Sequence, residues 1–285
     1  MVNNFKKYFH LYILIALLFS NFFVWSVIFT NENKFLTVAF LDIGQGDAIF
    51  IEAPNGNQIL LDGGPNRSVL RGISKIMPFY DRSIDIVVAS HPDKDHIGGL
   101  PEILKRYKVG AVIEPGVNND TAIYKEFEST IKELKIKKIL ARRGMTIWLD
   151  EGVYMEILFP DTDVSDFNAN DASIVARVVF GDSSFMLTGD SPKKIEKYIV
   201  SLDGGNLNSS VLKLGHHGSK TSTSDIFLSA VSPEYAIISA GRNNRYGHPH
   251  KEIIDLMKRF NIPYFETSKD GTVIFKTDGY DLYKK

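Results

Sequence analysis

SHPDKDHIGGL, residues 90–100, places His91, Asp93, Asp95 and His96 within six residues and then breaks into Gly98-Gly99. It grows out of IDIVVAS (84–90), an apolar run of the kind that forms a buried strand. Taken singly, these residues have ordinary readings: His91 alone would serve as a cap for the helix expected from Ile97. Four potential metal ligands on one strand-end loop point instead to a cation site, with the two glycines allowing backbone to approach closely at the start of the next helix.

Working outward, the same arrangement recurs. FLTVAFLDIGQGDAIFIEAP (35–54) reads as two strands, and Gln58 to Leu61 as a third ending at Asp62. Helices are expected over 68–80, 97–107, 121–135, 191–202, near 223–230 and near 249–260. Strands are expected at 109–115, 137–140, near 145–159, as a hairpin over 172–190, at 211–215, 236–241 and within 262–275. Hairpins interspersed with helices predict two sheets with helices outside them. Polar residues cluster where apolar strands end: Asp62, the 91–96 group, Asp190, His216-His217, and His248-Pro249-His250 in a loop. Taken together they predict a two-metal centre.

The 285 residues contain no cysteine, so ligands must come from His, Asp, Glu or Asn, which favours manganese or zinc. LYILIALLFSNFFVWSVIF (11–29) carries no charge and nearly matches the roughly 20 apolar residues that a bilayer core requires. Lys6 and Lys7 precede it, which directs the N-terminus to the cytoplasm and the remainder across the membrane. A cleaved signal peptide, cut after the small residues Val24 and Ser26, is the competing reading. Residues 1–30 are thus expected to be an anchor or signal, and 31–285 the globular domain that carries the metal centre. The whole chain has a formal charge of −1; without Lys6 and Lys7, 31 basic residues face 34 acidic ones, a formal −3, which is no magnet for nucleic acid.

The order Asp62, His91-x-Asp93-x-Asp95-His96, Asp190, His216-His217 resembles the metallo-β-lactamase superfamily. FLDIGQGDAIFIEAPNG, LLDGG, NDAS, LTGD, LKLGHHGSKTS and SAGRNNRYGHPH further resemble the hydrolase-like domain of the competence protein ComEC and its free-standing relatives. The resemblance implies an α/β, four-layer αββα sandwich behind one N-terminal transmembrane helix. It also implies that His91 and Asp93 hold one metal, Asp95 and His96 another, that Asp190 bridges them, and that His216 or His217 completes the second site. Asp62 is then an orienting residue, and Asn170 and Asp171 occupy the stretch where the superfamily usually has a further histidine. Asp93 replaces the usual second histidine of the motif, making the first site harder and richer in oxygen.

Two divalent ions, Mn2+ or Zn2+, held this way can share and activate a water for attack on a phosphodiester. Asp95, His217 and His248 are the expected catalytic residues, the spare histidine or His248 acting as general acid. Ser219, Lys220 and Ser222, with Arg242 and Arg245, are expected to contact phosphate. The resemblance implies nuclease activity, with single-stranded DNA as a substrate and a separate channel protein as partner. The alternatives are an extracytoplasmic esterase for cell-envelope phosphodiesters such as phosphorylcholine esters, and a membrane-tethered metal-binding module without catalysis.

Overall fold

The computed structural model describes residues 2–30 and 35–285. They fall in two units. The first is helix α1, Val2–Thr30, in which Tyr8–Trp25 is long and apolar enough to cross a membrane; a signal sequence has the same character.

The second unit, from Phe35 onward, is layered. One sheet contains β1 (Leu36–Phe40), β2 (Ile49–Glu52), β3 (Gln58–Leu61), β4 (Ser83–Val88), β5 (Lys108–Glu114) and β6 (Lys137–Leu140) in that order. The other contains β7 (Thr146–Asp150), β8 (Val153–Phe159), β9 (Val175–Phe180), β10 (Ser183–Leu187), β11 (Val211–Lys213), β12 (Tyr235–Ile238) and β13 (Tyr264–Glu266), also in sequence order. The chain then returns to the first sheet, where β14 (Val273–Thr277) pairs antiparallel with β1, Leu36 opposite Thr277, and β15 (Leu282–Lys284) pairs with β14.

Within each sheet the pairing changes from antiparallel to parallel where helical crossovers begin. β3 to β6 run parallel, connected through α2 (Ser68–Ile73), α3 (Lys94–Ile97), α4 (Leu100–Arg106) and α5 (Ala122–Glu133). β10 to β13 run parallel through α6 (Lys193–Asp203), α7 (Asp225–Val231) and α8 (Lys251–Arg259). A last short helix, α9 (Thr267–Asp270), precedes β14.

Strand residues alternate between faces, and here both faces are covered, so the strands are apolar on both sides. Val38 and Phe40 of β1 face Phe185 and Leu187 of β10 in a core between the sheets, where Phe275 meets Phe40 and Phe185 edge to face. Ala39, Phe50 and Leu60 point outward against Val69, Leu100, Ile103 and Phe127 of the helices. On the far side, Met186, Leu212 and Ile238 pack against Ile199, Leu228, Ile253 and Met257. The helix–sheet–sheet–helix sandwich follows from this double burial.

Three expectations differ in detail. The helix predicted over 68–80 stops at Ile73; Pro78 offers no N–H and restricts Met77 before it. The one expected over 97–107 divides at Gly98-Gly99. A side chain at Gly98 would place Cβ 2.3 Å from the Pro65 carbonyl, and at Gly99 2.2 Å from the Gly63 carbonyl. β15 was not foreseen, because its three residues lie on a sheet edge and show no burial pattern.

Glu196 of α6 is buried and accepts hydrogen bonds from the N–H groups of Thr223 (2.5 Å) and Ser224 (2.7 Å), where α7 begins. Glu196→Ala strands two buried donors and is expected to lower unfolding free energy by roughly 2–4 kcal/mol. Denaturant titration of Glu196→Ala and Glu196→Gln checks this, the glutamine recovering part of the loss through its remaining acceptor.

Candidate metal centre

The sandwich brings five strand ends to one edge. Asp62 follows β3, Ser90 and His91 follow β4, Asp190 follows β10, His216 and His217 follow β11, and Ser239 follows β12. Carboxyl ends of parallel strands are where α/β sheets commonly build ligand sites.

Asp190 lies at the middle of this edge, 2% exposed. One group gathers near its Oδ2: His91 Nε2 at 3.9 Å and His216 Nε2 at 3.7 Å, with Asp93 Oδ2 3.7 Å from His91 Nε2. A second group faces both oxygens: His96 Nε2 lies 3.3 Å from Oδ1, His217 Nε2 lies 3.5 Å from Oδ2, and Asp95 Oδ2 is 3.3 Å from His217 Nε2. The structure therefore puts His217 with Asp95 and His96, while His216 shares with His91 an approach to Asp190 Oδ2. His216 and His217 both have left-handed backbone, φ 49° and 57°, a conformation that costs non-glycine residues energy and that turns both rings to Asp190.

The opposite ring nitrogens are held from behind. Asp62 Oδ2 accepts from His96 Nδ1 (2.8 Å) and from the Ser90 hydroxyl (2.6 Å), and its Oδ1 accepts from Ser90 N–H (2.7 Å). The Ser90 oxygen in turn lies 3.0 Å from His91 Nδ1. His217 Nδ1 donates to the Ser239 carbonyl (2.9 Å). Fixing Nδ1 in this way presents Nε2 as the ligand atom.

Two participants escaped the sequence reading. Asp47 is fully buried at the start of β2 and paired with Lys213, itself fully buried on β11. Asp47 also reaches Nδ1 of His217 (3.4 Å) and of His96 (3.8 Å). Asp47, His96, Asp190 and His217 all carry ligand-type atoms within 4.8 Å of one another. The ring orientation separates them, however: Asp190 faces the Nε2 side, while Asp47 faces Nδ1 and is neutralised by Lys213. Asp47 is thus an orienting group. The signal available was a charged residue inside VLKL, a strand otherwise buried on both faces.

The donor set fits divalent cations. His91 Nε2 and Asp190 Oδ1 are buried without a hydrogen-bond partner among the described residues, both within the ligand cluster. Burial lowers His91 to about 3, helped by neighbouring His96. Burial also works against charge on His217, but Asp190 and Asp47 outweigh it and hold His217 near 9. Burial of Asp190 is likewise overcome, by His217 and His96, leaving it well below the usual carboxylate range. The carboxylates draw positive charge into the centre, and a hard or borderline cation with N and O ligands answers that demand.

Residues 41–122 match the metallo-beta-lactamase superfamily model. ComE operon protein 3 of Bacillus subtilis is 32% identical over 264 residues, 84% of this chain and 33% of its own length. Competence protein ComA of Neisseria gonorrhoeae is 34% identical over 86% of this chain and 32% of its own. The chain contains a metallo-beta-lactamase domain and is related to these competence proteins. It spans about a third of the length of these curated relatives. The metallo hydrolase Igni18 of Ignicoccus hospitalis shares the fold, with a TM-score of 0.56, 19% identity, and coverage of 85% of this chain and 99% of its own.

Several expected participants of this centre lie elsewhere. Asp171 pairs with Lys194 (2.5 Å), and neither it nor Asn170 meets a ligand in the hydrogen bonds and ion pairs described. From that stretch it is Ser173 that reaches the centre, its hydroxyl accepting from Asp190 N–H (3.3 Å). Ser222 is buried and donates to the Ser191 carbonyl (2.8 Å); Ser219 is buried and pairs with Thr221 (2.9 Å). Lys220 is exposed, and its N–H donates to His250 Nδ1. None of Ser219, Lys220 and Ser222 lines the cleft above Asp190; Gln45, Asp93, Asp95, His216, Tyr246 and His248 do. His248 Nδ1 has no hydrogen-bond partner among the described residues, whereas both nitrogens of His217 face partners. Burial, then His216 and His217, lower His248 to about 4.

Lys213→Met removes the cation that neutralises buried Asp47 and is expected to cost about 3–5 kcal/mol. Asp62→Ala is expected to weaken metal binding about 10–100-fold by freeing the His96 ring. Calorimetric melts test the first, and competition with a chromogenic chelator the second.

Proposed function

We propose that this chain is a metal-dependent phosphodiesterase, with DNA as its substrate, working on the outer side of a membrane to which α1 anchors it. The observation that carries this reading is the convergence of two ligand groups, His91–Asp93–His216 and Asp95–His96–His217, on the single buried carboxylate of Asp190 beneath an open cleft. Divalent ions held there, manganese or zinc, supply Lewis-acid polarisation of a phosphoryl oxygen and activation of water. Asp93 makes the first group richer in oxygen, which suits the harder manganese.

The chain's own residues do the rest. Asp62, Ser90, Ser239 and the Asp47–Lys213 pair hold the rings in place. Asp95, partly exposed, faces the cleft from within the second group. His248 lines the cleft with Nδ1 unpaired among the described residues, which supports the proton-moving role expected of it from sequence. The ComEC resemblance and the competence-protein relatives favour DNA and a separate channel protein as partner.

One observation favours a different diester. The formal charge is −1, whereas binding driven by the nucleic-acid backbone generally uses a basic surface. A cell-envelope phosphodiester of the phosphorylcholine type suits a membrane-anchored enzyme of this charge.

The test is hydrolysis by the purified full chain with manganese, zinc or chelator, offered single-stranded DNA, duplex DNA and an aryl phosphodiester. Metal-dependent DNA cleavage is expected, reduced more than about a hundredfold in Asp190→Ala. Cleavage of the aryl diester alone selects the envelope reading. No turnover of any of the three by metal-loaded protein overturns the phosphodiesterase reading.

A further inference from the structure

Ser219, Lys220 and Ser222 do not line the cleft, whose walls are mainly carboxylates and imidazoles. Of the neutral groups that line it, Gln45 carries an amide donor unpaired among the described residues. Gln45 lies in the turn between β1 and β2 and lines the same cleft as Asp93, Asp95 and His216. Its Oε1 accepts the backbone N–H of Gly241 at 3.1 Å. That bond fixes the orientation of the amide, because a backbone N–H needs the oxygen and not the NH2. Nε2 is therefore turned away from Gly241, and it is buried with no hydrogen-bond partner among the described residues. A buried donor left unpaired costs free energy, and native proteins seldom carry one without a role.

The surroundings hold the backbone of this turn in place on two sides. A Cβ at Gly46 would come 2.0 Å from the Asp95 carbonyl, and Asp47 N–H donates to that same carbonyl (3.2 Å), so the turn is wedged against the loop bearing the ligands. A Cβ at Gly241 would come 2.8 Å from the Gln45 nitrogen, so the loop leading to His248 presses on it from the other side.

We infer that Gln45 is a substrate-binding residue whose Nε2 donates to a non-bridging oxygen of the phosphoryl group. This deepens the phosphodiesterase reading and rests on it for the identity of the oxyanion. A neutral amide suits the position: it contributes a hydrogen bond to an anion without a cation that would compete with metal for the carboxylates.

The experiment is isothermal titration of inorganic phosphate into the metal-loaded full chain in detergent. Wild type, Gln45→Glu and Gln45→Met are compared, with metal content and melting temperature measured on each. Glu keeps the acceptor for Gly241 and so preserves the tether, but removes the donor; Met removes the donor without adding charge. Phosphate affinity is expected to fall roughly tenfold or more in both variants at unchanged metal content. Equal affinity in wild type and Gln45→Met, or loss in Gln45→Met with none in Gln45→Glu, shows a tether only and overturns the inference. Failure of wild type to bind phosphate overturns it as well. Phosphate binding that depends on Gln45, in a protein that turns over no diester, leaves the donor role standing and removes the phosphodiesterase reading.

Discussion

Carboxylates crowded into a dry edge of the sandwich set the terms for everything around them. Asp47, Asp62 and Asp190 are essentially excluded from solvent, and partly exposed Asp95 lies beside them. Like charges this close in a poorly screening interior repel strongly unless each has a compensating partner. The structure supplies a buried lysine for Asp47, a serine and His96 for Asp62, and imidazoles, His96 and His217 among them, for Asp190 and Asp95. Strand order, the left-handed pair at 216–217 and the glycine contacts at 98–99 bring those partners within reach.

The double-sided burial of the strands explains why such a centre tolerates its own cost. Side chains at the strand ends start from backbone fixed by three apolar cores, one between the sheets and one under each helical layer. Polar groups at the margin inherit that rigidity. Hydrogen bonds from Asp62, Ser90 and Ser239 then need only select ring orientation.

Much of this was legible from the chain. Continuous apolar runs ending in Asp or His identified β3, β4, β10 and β11 and the residues that follow them, because burial on both faces leaves a plain compositional mark. Asp47 and Lys213 left a weaker mark: their meaning lies in a contact across 166 positions and between two sheets, which no local pattern encodes. Gln45 was invisible for the same reason, since its partner Gly241 is equally remote in sequence. Ser219 and Ser222 illustrate the converse. Their nearness in sequence to His217 suggested a phosphate cradle, but the turn after β11 directs Ser222 toward the Ser191 carbonyl and pairs Ser219 with Thr221. Asn170 and Asp171 likewise flank Ser173, which does reach Asp190, while a 3₁₀ turn carries Asp171 out to Lys194.

The pairing of Leu36 with Thr277 has a wider consequence. The first strand of the layered unit and its penultimate one are neighbours, so the polypeptide enters and leaves the sandwich at almost one place. A module built like this can be spliced into a longer architecture through a single hinge region, with no cut through its core and no constraint on the spacing of the flanking segments. The same geometry makes the order of its strands separable from its chemistry: joining the two ends and opening a surface loop would rearrange the sequence while leaving the metal-binding edge assembled.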